Sequence, residues 1–499
     1  MQFKAVKTVA ALAVAAMMTG CATHSDSLGF AENESAKVYS EAYAPARQMI
    51  TQNRIDEIRK VVFENPKAAE GEEPMTNEEY SEQLYEKASE LSLVERGLIA
   101  LNFGNVDRAI FFFDVAERKL VDQEDNDTTG KSAARTGKAV ISILTGSEEA
   151  ANYQMRGYEK VMLLNYKALC YMLKGDRRAY NVTRRAIDRQ QAEWEAFAEE
   201  IEKVKAANEA RQNEMPSFNP NAATAAKAPA TPETAKAEAA AKADLEKAQS
   251  VASAYVNPFG DYMNGMMQEF DSLADPSLRD NARIAYEKAY ELNDKCDVAK
   301  KAAKEVASNK NRKGMKLVQV ILADGFSPVR GEKNITLPLG NEIVVSVNLP
   351  TTSSLPSELT KATVTYGKKT TTLSSLTEVD ALVLRDDLDR QPMKVGMMIA
   401  AVARSYLASK SLGKFGGMLT SSIQHPDTRS WLTLPNTIDV ARIWVPENVE
   451  ELTLTTYADA GRKLAQQPVK IAKKGPSVVY AVSYGPQLHA FGNSFSWVK

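Results

Sequence analysis

The sequence predicts an α+β protein, in which an N-terminal array of helices precedes a β-rich domain with a helical insertion. Three observations support this. Apolar residues recur at helical spacing up to about residue 311, they alternate with polar residues after that point, and a helix-like stretch interrupts the alternation at about 378–422. The chain has 499 residues, 44% of them apolar, which is enough for two or three domains with sizeable cores.

The first 20 residues have the pattern of a secretory signal. Lys4 and Lys7 precede an apolar run at 8–18, which is too short to span a bilayer. The ending Met18-Thr19-Gly20-Cys21 resembles the lipobox of bacterial lipoproteins, with methionine in place of the usual leucine. The resemblance implies cleavage before Cys21 and acylation of that cysteine, so that acyl chains hold the mature chain on a membrane. The alternative is an ordinary secretory signal that happens to end near a cysteine.

Residues 21–33 are small and polar, as in a tether between a lipid anchor and a folded domain. Ala22 follows the cysteine. In well-studied lipoprotein sorting systems an aspartate at this position retains the protein at the inner membrane, so alanine implies the outer membrane. We therefore expect a lipid-anchored protein of the bacterial cell envelope, facing the periplasm.

The net charge excludes one class of partner. It is −2 for the whole chain, and loss of Lys4 and Lys7 with the signal takes it to −4. Nucleic-acid binding normally needs a strong basic excess, so we expect no nucleic-acid partner. Besides Cys21 the chain has only Cys170 and Cys296. These two thiols either form a disulfide or stay separate, one buried and one partly exposed, and the sequence slightly favours the second alternative.

The helical domain is predicted at 34–213. Residues 93–120 indicate two helices joined at Phe103-Gly104-Asn105, with Gly97 placed where the helices could approach closely. Ala109, Phe113 and Ala116 share one face of the second helix. This A-x3-F-x2-A spacing after a glycine turn resembles the tetratricopeptide repeat, in which alanines allow close helix packing and the aromatic fills the space between repeats.

Two later segments have the same spacing. The second copy is Ala179, Thr183 and Ala186, which lacks the aromatic residue, and the third is Ala282, Tyr286 and Ala289. The copies are unevenly spaced, so we expect an irregular array with insertions. Such arrays create concave surfaces that bind peptides or proteins.

The segments between the copies differ in character. Residues 122–157 are too long for a tight turn and predict a functional loop, whereas 158–175 predict a strongly apolar, buried helix. Residues 184–213 predict a charged helix with one apolar stripe that includes Trp194, and this helix either packs on the array or extends as a coiled-coil arm. Residues 214–250 form a Pro- and Ala-rich linker or excursion, and 251–311 hold the final helices.

The β-rich domain is predicted at 312–499, with a β-sandwich-like arrangement and a helix against one face. The strands are expected in segments of alternating hydrophobicity, namely LVQVILADGF, NITLPLG, EIVVSVNLP, ATVTYGKKTTTLS, SWLTLPNTIDVARIWVP, NVEELTLTTY, QQPVKIA and SVVYAVSY. The apolar helix near 393–420 is amphipathic. It would either lie on a membrane surface or be buried against the sheet, and the sequence favours burial.

Three motifs of the β-rich domain are specific enough to compare with known families. They are Gly325-Phe326-x-Pro328-Val329, Val379-Asp380-Ala381-Leu382 and Asp427-Thr428-Arg429-Ser430-Trp431. Together with the lipobox and the helical repeats, they resemble a family of uncharacterised bacterial lipoproteins with tetratricopeptide-like helical repeats and a C-terminal β domain. The resemblance implies an envelope component near cell-wall assembly and supplies no biochemical activity.

Catalytic motifs are scarce. The three histidines do not form a zinc-binding motif, and no G-x-S-x-G nucleophile elbow is present. His425 and Asp427 are close enough in sequence to form a local pair, which is more often structural than catalytic. We therefore expect no cofactor, no metal and no catalytic activity.

The remaining expectation is a protein-binding scaffold for cell-envelope assembly, anchored at the outer membrane. The candidate partner-binding residues are Phe111, Phe112 and Tyr153, which would line an apolar groove of the array. The envelope partner itself is not specified. Two alternatives remain open: an envelope enzyme acting on cell-wall material, and an accessory lipoprotein of an export or surface-assembly system.

Overall fold

The structure is a computed structural model that describes residues 39–67, 71, 73–128, 153–214, 232–308, 312–338, 344–399, 402 and 426–493. Its fold is mixed α+β, with helices before residue 308 and the sheets after residue 312, as predicted. The predicted signal, Cys21 and the tether lie outside the described residues, as does most of the 122–157 loop.

The helices of the first part are mostly connected by short turns. They are α1 (Tyr39–Ala42), α2 (Ala44–Thr51), α3 (Ile55–Ile58, continued by a π-helical turn Arg59–Phe63), α4 (Asn77–Lys87), α5 (Glu90–Asn102), α6 (Val106–Thr128), α7 (Gly157–Leu173), α8 (Arg178–Glu214), α9 (Pro232–Gln249), α10 (Pro258–Ser272), α11 (Arg279–Leu292) and α12 (Asp297–Ala307). The predicted turn between two helices at Phe103-Gly104-Asn105 is confirmed, and Gly104 has a φ of 82°, which suits glycine.

Neighbouring helices pack as hairpins: α5 with α6, α7 with α8, and α10 with α11. In two of these hairpins a glycine lies directly against an aromatic ring of the neighbouring helix. A Cβ atom on Gly97 would lie 2.5 Å from the Phe113 ring, and one on Gly265 would lie 2.8 Å from the Tyr286 ring. Helix α7 is buried along its whole length, as its apolar sequence predicts. This burial places α7 at the centre of the helical layer.

The described residues of the second part form three sheets. Their strands are β1 (Met315–Asp324), β2 (Val329–Pro338), β3 (Val344–Ser353), β4 (Lys361–Tyr366), β5 (Lys369–Thr372), β6 (Ser374–Glu378), β7 (Thr437–Pro446), β8 (Glu451–Tyr457), β9 (Lys463–Lys470), β10 (Ser477–Tyr484) and β11 (Gln487–Gly492). One sheet has five strands in the order β11-β10-β1-β7-β6, and a second has four in the order β5-β4-β8-β9. Strands β2 and β3 form a separate hairpin.

The five-stranded sheet is buried on both faces. Val318, Val320 and Leu322 of β1 join an apolar cluster with β4, β8 and β9 of the four-stranded sheet. The alternate residues Leu317 and Ile321 join the large core formed with the helices. Strand β1 is therefore an almost continuous apolar run, because side chains on both of its faces are buried.

The predicted helical insertion begins as α13 (Val379–Asp389) and continues as a helix at 391–399. Met398 and Ile399 of the second helix are buried against Val347 and Leu349 of the β2–β3 hairpin. This part of the segment is therefore buried, the alternative that the sequence favoured. None of the helices in the described ranges is long and apolar enough to cross a membrane.

Helix α8 contains the charged segment that was predicted either to pack on the array or to extend as a coiled-coil arm. Its C-terminal half packs through Ile201 and Val204, and Phe197 contacts Tyr255 with the ring centroids 5.1 Å apart. It therefore packs on the protein and does not extend as an arm. Trp194, which the sequence placed on the apolar stripe, is 47% exposed, so that assignment was wrong.

The predicted strand at 430–446 is correct only from Thr437 onward. Residues 426–436 instead form a buried irregular segment that enters the helical layer.

Cys170 and Cys296 are free thiols, and both are buried, so the expected partial exposure of Cys296 was wrong.

Candidate functional site

The segment 426–436, which we call the inserted segment, carries the Asp427–Trp431 motif into the helical layer. Trp431, Leu432 and Leu434 are completely buried. The Trp431 ring lies 6.4 Å from the Phe113 ring and 6.2 Å from the Tyr166 ring, centroid to centroid. Its indole N–H donates to Thr433 Oγ1 at 2.8 Å. An aromatic residue of the repeat motif thus contacts the chain's own C-terminal part.

Glu95 of α5 holds the backbone of this segment. Its carboxylate accepts hydrogen bonds from the N–H groups of Leu432 at 2.6 Å and Thr433 at 2.9 Å, and from the Thr433 hydroxyl. Glu95 is completely buried, and this burial raises its pKa to about 8 despite the three donors. Backbone N–H groups in an irregular buried segment need acceptors, and Glu95 supplies them.

Glu159 of α7 holds the preceding residue. It accepts from the Trp431 N–H at 2.8 Å, from the Arg156 N–H at 2.7 Å and from the hydroxyls of Tyr153 and Tyr158. Glu95 and Glu159 together therefore bind three consecutive N–H groups of the inserted segment. We call this pair the carboxylate latch.

A buried polar chain continues from the latch into the β part. Tyr158 accepts from the Arg330 guanidinium of β2 at 3.3 Å, and the same guanidinium donates to Asp386 of α13 at 3.3 Å. Arg390 also donates to Asp386, at 3.0 Å. Burial opposes ionisation of Asp386, but the nearby Arg390, Arg156 and Arg330 lower its pKa below the usual range. These contacts join the helical layer, the hairpin and the insertion into one body.

The latch does not have the arrangement of an active site. Each carboxylate already accepts several hydrogen bonds within the chain, and both side chains are completely buried. A general base needs a proton to abstract from a substrate within hydrogen-bond reach. The latch therefore acts as a structural clamp on the inserted segment.

The sequence singled out Asp427 as a possible partner of His425. His425 lies outside the described residues, and Asp427 accepts from the Arg429 N–H at 2.9 Å and from its guanidinium at 2.8 Å. The Arg429 guanidinium lies 5.4 Å from the Tyr153 ring centroid. Asp427 thus shapes the start of the inserted segment.

The three candidate partner-binding residues do not form one groove. Phe112 is completely buried and Tyr153 is 5% exposed, and both make contacts within the chain. Neither of these two side chains therefore lies on an exposed surface of the structure. Only Phe111 is partly buried and borders an open pocket.

This open pocket has a volume of about 690 Å³ and lies where the turn between α5 and α6 meets the segment after α3. We call it the Arg108 pocket. Its walls combine aromatic and proline rings, three asparagines and charged side chains. They are Lys60, Phe63, Glu64, Asn65, Pro66, Lys67, Pro74, Asn77, Asn105, Asp107, Arg108 and Phe111. Ligand pockets commonly have this size and combine apolar walls with a few polar groups.

Arg108 is the most buried cation of the pocket, at 7% exposure. Its guanidinium donates to Val62 O at 2.9 Å, Asn65 Oδ1 at 2.7 Å and Glu64 O at 3.4 Å. It also lies 4.5 Å from the Phe111 ring centroid. Burial and the neighbouring Arg96 lower the Arg108 pKa to about 10, and none of its contacts with described residues is to a carboxylate.

The predicted repeat residues lie in helix–helix contacts. Each of them is completely or almost completely buried, namely Ala109, Phe113, Ala116, Ala179, Thr183, Ala186, Ala282, Tyr286 and Ala289. Gly97 lies directly against Phe113, and Gly265, which the sequence analysis did not single out, has the same relation to Tyr286.

Across the described part of the chain, no cluster of three or more His, Cys, Asp or Glu side chains is placed to hold a metal ion. Comparison of the chain with protein-family models, with curated proteins and with solved structures gives no match.

Sequence reasoning missed the latch. Its signal was a glutamate inside each of two largely apolar stretches, LVERGLIAL around Glu95 and YEKVMLL around Glu159. A carboxylate on the buried face of a helix needs donors, and an irregular segment elsewhere in the chain is one source of them. The sequence alone did not indicate which segment would supply them.

Proposed function

We propose that this protein is a lipid-anchored scaffold of the bacterial cell envelope that binds a partner protein and has no catalysis of its own. In this proposal Cys21 carries the acyl chains, and the chain faces the periplasm from the outer membrane. The observation that supports binding is the Arg108 pocket, which is open, aromatic and cationic. We also infer that the helical layer is an irregular tetratricopeptide-like array and that the two packed sheets are a β-sandwich.

The internal contacts support the scaffold interpretation. The helical layer already holds an irregular segment through backbone N–H groups and one large aromatic side chain, Trp431. Because that segment belongs to the chain itself, the site for a partner is expected elsewhere on the array. Phe111 lies at such a position, since it belongs to the array and borders the open pocket.

Site-specific photocrosslinking in intact cells tests this proposal. A photoreactive phenylalanine analogue at Phe111 is expected to give one discrete crosslinked species, identified by mass spectrometry. The matched control carries the same analogue at Tyr366, which is also partly buried but lies on β4. Equal crosslinking from both positions, or none from Phe111 in cells where the protein is membrane-associated, contradicts the proposal.

The anchor is tested separately. Cys21→Ser is expected to move the protein from the membrane to the soluble fraction, because acyl chains are the proposed attachment. Retention of that variant in the outer-membrane fraction would overturn the proposed anchor without affecting the pocket.

A further inference from the structure

The strongest unexplained feature is the charge balance of the Arg108 pocket. Lys60, Lys67 and Arg108 contribute three positive charges, and the ion pairs found among the described residues include none of the three. Of the two acidic side chains in the lining, Asp107 pairs with Lys174, the residue that directly follows α7. The pocket therefore holds a surplus of positive charge.

Arg108 is the buried cation among these three. It is about nine-tenths buried, and its three acceptors among the described residues are two backbone carbonyls and the Asn65 amide oxygen. A guanidinium has five N–H donors, so two remain beyond those three bonds. A buried cation without an opposite charge is costly, and an anion entering the pocket would compensate it.

Two further elements favour an anion in this pocket. Helix α6 is 23 residues long and begins at Val106, so the positive end of its dipole lies beside Asn105, Asp107 and Arg108. Lys60 and Lys67 are exposed at the rim, where they can attract a negatively charged ligand before it enters.

The neutral walls distinguish between kinds of anion. Phe63 and Phe111 provide aromatic faces, and Pro66 and Pro74 provide rigid apolar surface. The side-chain oxygens of Asn77 and Asn105 already accept hydrogen bonds within the chain, at 3.0 Å and 3.1 Å. Their NH2 groups can donate, which suits the C=O groups of an extended peptide. A phosphate ion or a lipid headgroup would use the cations but not this apolar and amide lining.

We propose that the Arg108 pocket binds an acidic, extended peptide segment of the partner protein, with a carboxylate directed at Arg108 and apolar side chains against Phe63 and Phe111. This inference rests on the proposed scaffold function and names the chemistry of the partner's contact. The lysines at the rim add attraction that depends on ionic strength.

The test is fluorescence polarisation with the full chain purified in detergent. The probe is a short fluorescein-labelled peptide with two glutamates flanked by leucines, compared with the same peptide carrying glutamines. The acidic probe is expected to bind at least about tenfold more tightly, and its binding is expected to weaken as salt is raised. Equal affinity for both peptides overturns the proposal.

Variants separate the pocket from general charge effects. Lys60→Gln with Lys67→Gln is expected to weaken binding of the acidic probe about tenfold. Both residues are exposed, so this variant should fold normally. The matched control is Lys301→Gln with Lys304→Gln, two exposed lysines of α12 outside the pocket, and it should bind like the wild type. An equal loss in both pairs contradicts a specific site.

Arg108→Lys retains the charge and removes the planar fork, so it is expected to weaken carboxylate binding while keeping most of the salt dependence. A competition experiment then measures how well inorganic phosphate and anionic phospholipid vesicles displace the acidic peptide. Tighter binding of either than of the acidic peptide would overturn the peptide assignment. A crosslinked partner at Phe111 that lacks acidic segments would leave the scaffold function intact and reject this inference alone.

Discussion

Glu95 Oε1 accepts a 2.6 Å hydrogen bond from the backbone N–H of Leu432, a residue 337 positions later in the chain. Its second oxygen accepts from the next N–H, that of Thr433. Two buried donors of an irregular segment thus depend on a single side chain of α5. This dependence makes Glu95 a sensitive point in the union of the helical and β parts.

Glu95→Ala is expected to lower the free energy of unfolding by about 3 kcal/mol or more, because two buried N–H groups lose their acceptors. Chemical denaturation followed by tryptophan fluorescence measures the change. Glu86→Ala, at an exposed glutamate of α4, should stay within about 0.5 kcal/mol of the wild type. A similar small effect in both variants would show that the N–H groups find other acceptors.

Glu95 also predicts a pH dependence. Burial raises its pKa in the folded state to about 8, whereas the usual value is 4.5, so the folded state holds a proton that the unfolded state releases. Its contribution to stability is therefore full below about pH 4.5 and is lost as the pH rises through about 8. Glu95→Gln removes this titration, and its free energy of unfolding should fall less steeply than that of the wild type between pH 6 and 8.

The wild type must be compared with Glu95→Gln because other buried acids also have raised pKa values. Burial also raises the pKa of Asp439 to about 7 and those of Asp324 and Asp261 to about 6, so the wild type loses stability with rising pH for several reasons. The difference in slope between the wild type and Glu95→Gln isolates the latch. Identical slopes would mean that Glu95 is ionised in the folded protein across this range.

The sequence predicted the order of elements well, because that order depends on local patterns. Alternating apolar residues located most strands, and the spacing of Ala109 and Phe113 located the α5–α6 hairpin. Thr76 and Glu79 form a capping box at the start of α4, as their spacing of three residues indicates. Each of these features is determined by residues close together in the chain.

The candidate site could not be predicted, because it depends on contacts between distant residues. The apolar run around Trp431 resembles a strand, yet Glu95 and Glu159 bind its N–H groups in place of a neighbouring strand. Tyr153 is also buried, and its hydroxyl donates to Glu159. Trp194 was predicted on the apolar stripe of its helix but is exposed. Helical spacing alone does not reveal which residues of a stripe contact another helix.

The contact between Gly97 and Phe113 predicts a packing defect. Gly97→Ala would place a Cβ atom 2.5 Å from the ring, so the α5–α6 hairpin must open or the ring must move, at about 1–3 kcal/mol. Phe113→Leu in the same chain should recover part of this loss, as seen by thermal unfolding. Gly331→Ala, where the nearest atom is 3.5 Å away, is the control and should cost little. Additive losses without recovery would contradict a direct clash.

The ion pair of Arg442 and Glu269 links the sheet to the helices. A single substitution in this pair is expected to destabilise the contact between the two parts. Arg442 of β7 and Glu269 of α10 are 5% and 3% exposed at their side chains, and Glu269 also accepts from the Tyr286 hydroxyl at 2.8 Å. Arg442→Met leaves a buried carboxylate without its cation, so the expected loss is about 3–5 kcal/mol. Arg462→Met breaks the pair with Glu358, which is 59% exposed, and should cost at most about 1 kcal/mol. If denaturation shows the two variants to be equally stable, the buried pair does not hold the helices on the sheet.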